Sequence, residues 1–333
     1  MEVGSQKPLS IRVVSDGRIG MENQALGLAE ALQRLLPSEI TVVRVKWRKL
    51  FEKLPSALKA KWMLDPAADA PFPKPGEAWP DVWIATGRAT LPLSLMAKRR
   101  SGGKTLVVQT QDPRWRTGDY DLVVAPKHDG IEGPNVLSIT GSPHRISPAR
   151  LAEGAAAFSD RLEPLPRPRV AVLVGGKSRT HDLPEVHAAA LADRIAAAVT
   201  AAGGSLMLTF SRRTPEAAKA AMTARLSHLP GLIWDGEGPN PYFAFLHDAD
   251  HILVTEDSAN MAAEAASTGR PVHILPMVPT KPADKFARLH ADLRTRGVAR
   301  PFDGTLDSWS YEPLAETDRA AREVLNRLAV RNR

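Results

Sequence analysis

Short apolar runs alternate with helical patterns from one end of this 333-residue chain to the other, and that alternation restricts the fold more than any other feature. Strand-like runs fall at 11–15, 40–45, 82–85, 105–109, 122–125 and 135–138, then again at 169–174, 205–210, 232–234, 251–254 and 272–275. Helical patterns fall between them at 23–36, 91–100, 148–162, 184–202, 215–226, 241–246, 260–268 and 281–293, with a last one at 314–329. A strand followed by a crossover helix and a further strand builds a parallel sheet covered on both faces. The chain is long for one core, so two such domains are expected. The segment 163–169, with three prolines, marks the boundary: residues 1–163 form the first domain and 164–312 the second. The tail 313–333 is expected to pack back on the first domain. The fold class is α/β, two doubly wound parallel sheets facing a central cleft.

Composition narrows the function classes. Apolar residues make up 43% and charged residues 24%, ordinary values for a globular protein. No apolar run approaches the ~20 residues that span a bilayer, and the stretch Met1 to Pro8 is polar, so a cytoplasmic location is expected. Cysteine is absent, which removes disulfides and thiolate metal sites. No His-x3-His pair or carboxylate triplet accompanies it, so no catalytic metal and no permanently bound cofactor are expected. The net charge is +7, of which +5 lies in residues 1–165. Much of it sits in residues 44–64, where seven cations face only Glu52 and alternate with Trp47, Leu50, Phe51, Leu58 and Trp62. Two readings of this segment stand: peripheral contact with an anionic membrane, or a solvated helix packed by its apolar side. Nucleic acid is disfavoured, because no recognised binding motif accompanies the charge.

Four turns concentrate chemistry at strand ends. The first strand runs into Asp16, Gly17, Arg18, Gly20, Glu22, Asn23 and Gln24, where the glycines permit a tight turn open to a ligand. At the start of the second domain, Gly175, Gly176, Lys177, Ser178 and Arg179 follow a strand directly. Backbone amides and cations there suit a diphosphate, although the spacing is not that of a P-loop. Ser211 and Arg212 end the next strand on the same rim. The stretch from Glu256 through Asp257, Ser258, Asn260 and Met261 to Glu264 opens a short helix. Free amides at that start suit a phosphate, and Glu256, Asn260 and Glu264 would form one helical stripe, with the second carboxylate suited to a sugar's hydroxyl pair. Equally, Asp257 or Ser258 caps the helix and the glutamates are solvated. Asn240 and Tyr242 lie in a Gly/Pro-rich turn that either frames a nucleobase or is only a turn. Asp112 and His128 follow first-domain strands; either they face the cleft, with His128 able to titrate near neutrality, or His128 is a structural histidine.

The Glu-x7-Glu spacing with a small-residue helix and Gly-Arg-Pro-Val resembles the nucleotide-sugar site of GT-B glycosyltransferases. Asp16-Gly-Arg-x-Gly-x-Glu-Asn-Gln, Gln111-Asp-Pro-Arg, Pro126-x-His-Asp, Gly175-Gly-Lys-Ser and Thr255-Glu-Asp-Ser-Ala-Asn-Met together resemble the mitochondrial fission (elongated-mitochondria) family of plants and its bacterial relatives. That likeness covers residues 10 to 330 and implies a GT-B-like fold. It implies metal-independent transfer of a sugar from a nucleoside-diphosphate sugar, the co-substrate, to a lipid or envelope glycan acceptor at the cytoplasmic membrane face. A non-catalytic adaptor of the same fold, recruiting a membrane-remodelling partner, is the alternative. Carried over, Gly176, Lys177, Ser178 and Arg212 would meet the diphosphate, with Ser258, Asn260 and Met261 at the helix start. Glu264 would hold the ribose, Glu256 would face the donor sugar, and Asp16 or Glu22 would be the base on an acceptor hydroxyl. Related glycosyltransferases often carry histidine where this chain has Met21, which cannot take a proton.

Overall fold

The computed structural model describes residues 7–331; residues 1–6 of the polar N-terminal stretch and residues 332–333 lie outside the described residues. The chain divides into two compact units, residues 1–145 with 315–333, and residues 146–314.

In the first unit, β1 (Leu9–Ser15), α1 (Ile19–Leu35), β2 (Ser38–Arg44), β3 (Val82–Thr86), α2 (Leu91–Arg100), β4 (Leu106–Thr110), β5 (Leu122–Pro126) and β6 (Val136–Ile139) follow in chain order. The strands form one parallel sheet in the order β2-β1-β3-β4-β5-β6. Its central strands are apolar on both faces, as a sheet covered on both sides requires. Ile11, Val13, Val82 and Ile84 pack into one core, whereas Val14, Trp83 and Ala85 pack into another. The loop between β2 and β3 is held down where Phe72 stacks on Trp83, 5.8 Å between ring centroids.

The second unit begins earlier than the proline-rich segment suggests. Its elements are α3 (Pro148–Ala156), α4 (Ser159–Leu162), β7 (Arg169–Val174), β8 (His181–Asp182), α5 (Glu185–Ala201), β9 (Ser205–Phe210), α6 (Glu216–Leu226), β10 (Gly231–Ile233), α7 (Tyr242–Asp248), β11 (His251–Thr255), α8 (Ala259–Ala266), β12 (Val272–Leu275), β13 (Val278–Pro279), α9 (Asp284–Thr295) and β14 (Ala299–Pro301). The parallel sheet has the order β10-β9-β7-β11-β12-β14, and β8 pairs with β13 separately, antiparallel. Ala171, Leu173, Ile252 and Val254 pack beneath α4, α7, α8 and α9, while Val170, Val172, Leu206 and Leu208 pack beneath α5 and α6.

The expected boundary at 163/164 is therefore corrected to 145/146. Phe158 and Leu162 are buried in the second unit's core, and Gly154 lies so close to the Phe243 backbone that a Cβ would sit 3.2 Å from its carbonyl carbon. The prolines do not form a free linker: the Arg169 guanidinium donates to the Glu163 carbonyl at 2.7 Å and the Ser205 hydroxyl to the Pro166 carbonyl at 2.7 Å. The last helix, α10 (Glu316–Arg331), belongs to the first unit, where Ala320, Ala321 and Val324 join the core formed by α1.

The basic segment 44–64 is not a helix. It consists of three single 3-10 turns at Lys49–Phe51, Ser56–Leu58 and Lys61–Met63. Pro55 and the lack of a continuous apolar stripe account for this. No helix among the described residues is long and apolar enough to cross a membrane.

Helix α1 approaches the chain after β6 closely: a Cβ on Gly27 would stand 2.3 Å from the His144 carbonyl oxygen. Gly27→Ala is expected to destabilise the protein by about 1–3 kcal/mol, the usual cost of overpacking, read as a lower midpoint in urea unfolding.

Candidate functional site

In open parallel sheets, ligands bind outside the carboxyl ends of strands where the strand order reverses. The first sheet reverses between β1 and β3, and the second between β7 and β11. Asp16 and Gly17 follow β1; Gly175 and Gly176 follow β7, and Glu256, Asp257 and Ser258 follow β11. The motifs singled out by sequence thus lie at the two switch points.

At the second switch point the central group is Asp257, whose side chain has no exposed surface. Its carboxylate accepts from the Gly176 amide at 3.1 Å, the Thr255 hydroxyl at 2.8 Å and the Arg213 guanidinium at 2.8 Å. Thr255 Oγ1 in turn accepts from the Gly175 amide at 2.7 Å. The amides of Lys177 and Ser178 donate to the carbonyls of Arg213 and His181. All four amides of the glycine turn are therefore engaged inside the protein, which corrects the expectation that they cradle a diphosphate. The glycines serve close packing: a Cβ on Gly175 would lie 2.0 Å from Asp257 Oδ1, and one on Gly176 2.2 Å from the Arg213 carbonyl oxygen. Asp257 likewise is not a ligand contact but the group that holds three loops in register.

What this scaffold presents outward is positive. Lys177, Arg179 and Arg212 are exposed around the turns, Lys177 loosely paired with Asp182 at 3.5 Å. The Ser211 hydroxyl accepts from the Arg213 amide at 3.2 Å, so it shapes its own turn. The Ser258 hydroxyl caps α8 by accepting from the Met261 amide at 3.3 Å, as the capping alternative requires. The amides of Ser258 and Ala259 have no hydrogen-bond partner among the described residues, and Asn260 lies beside them, half-buried.

The two glutamates part company. Because α8 starts only at Ala259, Glu256 precedes the helix and the stripe with Asn260 and Glu264 does not form. Glu256 accepts from the Met277 amide at 2.6 Å, and its carbonyl meets His290 Nε2 at 2.9 Å. It borders a hollow of about 390 Å3 together with His181, Phe286, His290 and Arg294. Burial pushes the His290 imidazole below its usual pKa. Glu264 instead accepts from the Tyr242 hydroxyl on α7. Burial pushes its carboxyl up to about 7, against the opposing pull of that hydrogen bond. Tyr242 is thereby a holder of Glu264, and the Asn240 side chain accepts from the Tyr242 amide at 2.9 Å, shaping the turn before α7.

At the first switch point, Glu22 is ruled out as a base. Arg44 grips both its oxygens, at 2.9 and 2.8 Å, and Ser15 donates to it at 2.6 Å. The Arg44 hydrogen bond, opposed by burial, leaves its pKa below the ordinary value. Asp16 stays at the rim, 3.3 Å from the exposed Arg18. Gly17 has the positive φ of a tight turn, +77°, whereas Gly20 is simply helical, with open space around it. Asn23 is half-buried on α1; Gln24 accepts from the Gln111 side chain at 2.9 Å. Asp112 accepts from the Arg114 amide at 2.8 Å, and His128 lies half-buried after β5. Gln111, Arg114 and Arg116 all have positive φ, each costing about 1–2 kcal/mol, so the turn after β4 is held in shape by its surroundings.

Residues 19–328 match the family described as Mitochondrial fission ELM1. The chain belongs to that family. The mitochondrial fission protein ELM1 of Arabidopsis thaliana is 33% identical over 279 residues, 76% of this chain and 65% of the plant protein, so the chain spans less than two-thirds of that relative. An uncharacterised protein of Rickettsia prowazekii (strain Madrid E) is 25% identical across 95% of this chain and 98% of its own length. A putative UDP-N-acetylglucosamine 2-epimerase from Listeria monocytogenes superposes with a TM-score of 0.53 at 13% identity, covering 98% of this chain and 89% of that one. At that identity the likeness is one of fold: this ELM1-family chain is GT-B-like.

Arg213, Thr255, His290 and the Met277 amide were not assigned from sequence. In this ELM1 member Arg212 and Arg213 are adjacent, and nothing local distinguishes the one whose guanidinium reaches Asp257. Thr255 carried a usable signal, a hydroxyl at the last position of a buried strand beside a glycine turn.

Asp257→Ala removes a buried charge-assisted acceptor of three hydrogen bonds. It is expected to cost on the order of 3 kcal/mol in urea unfolding. Glu264 favours the folded state while it holds its proton. That stabilisation is full below the ordinary value of 4.5 and is lost as pH rises through about 7. Unfolding free energy should therefore fall between pH 5 and 8 by on the order of 1–3 kcal/mol, and Glu264→Gln should flatten that slope.

Proposed function

We propose that the second unit binds a nucleoside-diphosphate sugar and that the protein transfers the sugar, without a bound metal, to a lipid or envelope glycan acceptor at the cytoplasmic membrane face. The observation that carries this reading is the pairing with Tyr242 of Glu264 on α8, the helix whose start Ser258 caps. A carboxylate held there can accept from two ribose hydroxyls, about one and a half helical turns from amides that suit a phosphate. Lys177, Arg179 and Arg212 on the same rim would offset the charge of the departing diphosphate. The fold shared with a UDP-N-acetylglucosamine 2-epimerase supports a UDP-sugar as the first donor to try.

In the transfer, the acceptor oxygen forms a bond to the anomeric carbon, and the bond from that carbon to the diphosphate oxygen breaks with its electron pair. The acceptor's proton goes to a general base; Glu22, locked by Arg44, cannot serve, and Asp16 is the other carboxylate proposed for that role.

A second reading draws on that same lock. With Glu22 withdrawn and Asp16 facing Arg18, a non-catalytic adaptor that keeps nucleotide binding and recruits a membrane-remodelling partner fits the first unit as well. The name of the plant relative, a mitochondrial fission protein, supports it.

Titration calorimetry with UDP, GDP, ADP and CMP tests the common element. One nucleotide should bind and raise the melting temperature, by about 2.7 kcal/mol of stabilisation at 100 times its Kd. Glu264→Ala and Lys177→Ala should each weaken it about tenfold or more. No heat with any of the four would overturn the proposal. Binding without turnover of any donor sugar, with a partner recovered by pull-down, would select the adaptor.

A further inference from the structure

The lobe formed by the three 3-10 turns between β2 and β3 combines exposed apolar side chains with unpaired cations. Leu50 is 81% exposed, and Leu58 and Trp62 are each 62% exposed, values that a core-forming segment does not show. Phe51 meets Trp62 edge-on at 5.1 Å, so the first and third turns present their apolar side chains as a unit. Arg48, Lys49 and Lys53 are exposed and make no ion pair among the described residues; Lys46 reaches Asp65 only at 4.0 Å.

The lobe is also firmly seated. Trp47 is buried and donates through Nε1 to the Ala89 carbonyl at 2.9 Å. Lys59 is buried, donates to the Glu52 carbonyl at 2.9 Å and lies 4.9 Å from the Trp47 ring centre. Burial lowers its pKa. One tryptophan and one lysine of the segment thus build the base, while another tryptophan and the other cations are left outside. Folding alone does not explain that division: exposed apolar side chains interspersed with cations along one short segment are stable in water only at a cost, and they match a surface that is anionic above and apolar below.

We infer that this lobe is a membrane-docking surface: Leu50 and Trp62 enter the headgroup region of an anionic bilayer, and Arg48, Lys49 and Lys53 engage lipid phosphates. Charge complementarity commits it to anionic lipid. The inference rests on the membrane-face part of the proposed function and specifies the surface responsible. It does not depend on sugar transfer, because nucleotide binding by the second unit is measured separately on the same variants.

The test is co-sedimentation of the whole chain with phosphatidylcholine vesicles, with and without phosphatidylglycerol. Binding should require phosphatidylglycerol and weaken as salt is raised. The pair Lys49→Ala with Lys53→Ala should weaken it on the order of tenfold or more, since each cation near such a surface is worth about fivefold. Leu50→Ala with Trp62→Ala should weaken it at least about tenfold while the melting temperature is unchanged, as both side chains are exposed. Quenching of tryptophan fluorescence by brominated lipid should drop in Trp62→Phe with binding kept. The inference is overturned if neither vesicle binds, if the apolar pair has no effect, or if the cations instead govern retention of duplex DNA or RNA. Loss of vesicle binding with calorimetric nucleotide binding intact would separate this surface from the donor site.

Discussion

Asp257 carries a carboxylate with no exposed surface at the place where β7, β9 and β11 end. A bare charge there would cost several kcal/mol. It is offset by one guanidinium, one amide and one hydroxyl, each from a different segment of chain. The consequences spread outward. Gly175 and Gly176 must lack side chains for the turn to reach the carboxylate. Arg213 must reach Asp257 with its guanidinium, although like its neighbour Arg212 it remains exposed. Asp257 also fixes the chain immediately before the Ser258 cap, and with it the start of α8. The turns that carry Lys177, Ser178 and Arg212 are thus organised in advance by a network that reaches them through the Arg213–Lys177 backbone contact, the kind of preorganisation that the proposed stabilisation of a leaving diphosphate calls for.

Each unit repeats this design with its own strand order. In the first, Glu22 plays the internal part, joined to Ser15 and Arg44, and Asp16 is left at the rim. In the second, Asp257 is internal, Glu256 and Glu264 are half-buried, and the cations Lys177, Arg179 and Arg212 are exposed. Both switch points therefore hold one carboxylate that a guanidinium and a hydroxyl lock into the scaffold. Carboxylate environments differ: hydrogen bonding by Arg44 pulls Glu22 down, whereas burial pushes Glu264 up.

The central strands were legible because they are buried on both faces, and a continuous apolar run needs no partner to be recognised. The ranges 169–174, 205–210 and 272–275 match β7, β9 and β12 residue for residue. The strands β8, β13 and β14 were missed because each has two or three residues, too short for a pattern. The boundary was misplaced because prolines 164, 166 and 168 read as a linker, while hydrogen bonds from Arg169 and Ser205 pin them to the second unit. For the site, positions were legible and roles less so. Glycines after a strand look alike whether they admit a phosphate or a neighbouring carboxylate, and only the fold brings Asp257 to Gly176 across 81 positions of chain. In residues 44–64 the charge and aromatic pattern was visible, but the partition between a buried Trp47 and an exposed Trp62 depends on where Ala89 lies.

The central claim is that the start of α8 and Glu264 together receive a nucleoside diphosphate. A crystal structure of the protein with UDP at saturating concentration examines it most directly. The account predicts the ribose hydroxyls within hydrogen-bond reach of Glu264 and a phosphate at the Ser258 and Ala259 amides, with Asp257 still bound to Gly176 and Arg213. A nucleotide seated elsewhere on the second unit, or Asp257 released from its partners to meet it, would contradict the account.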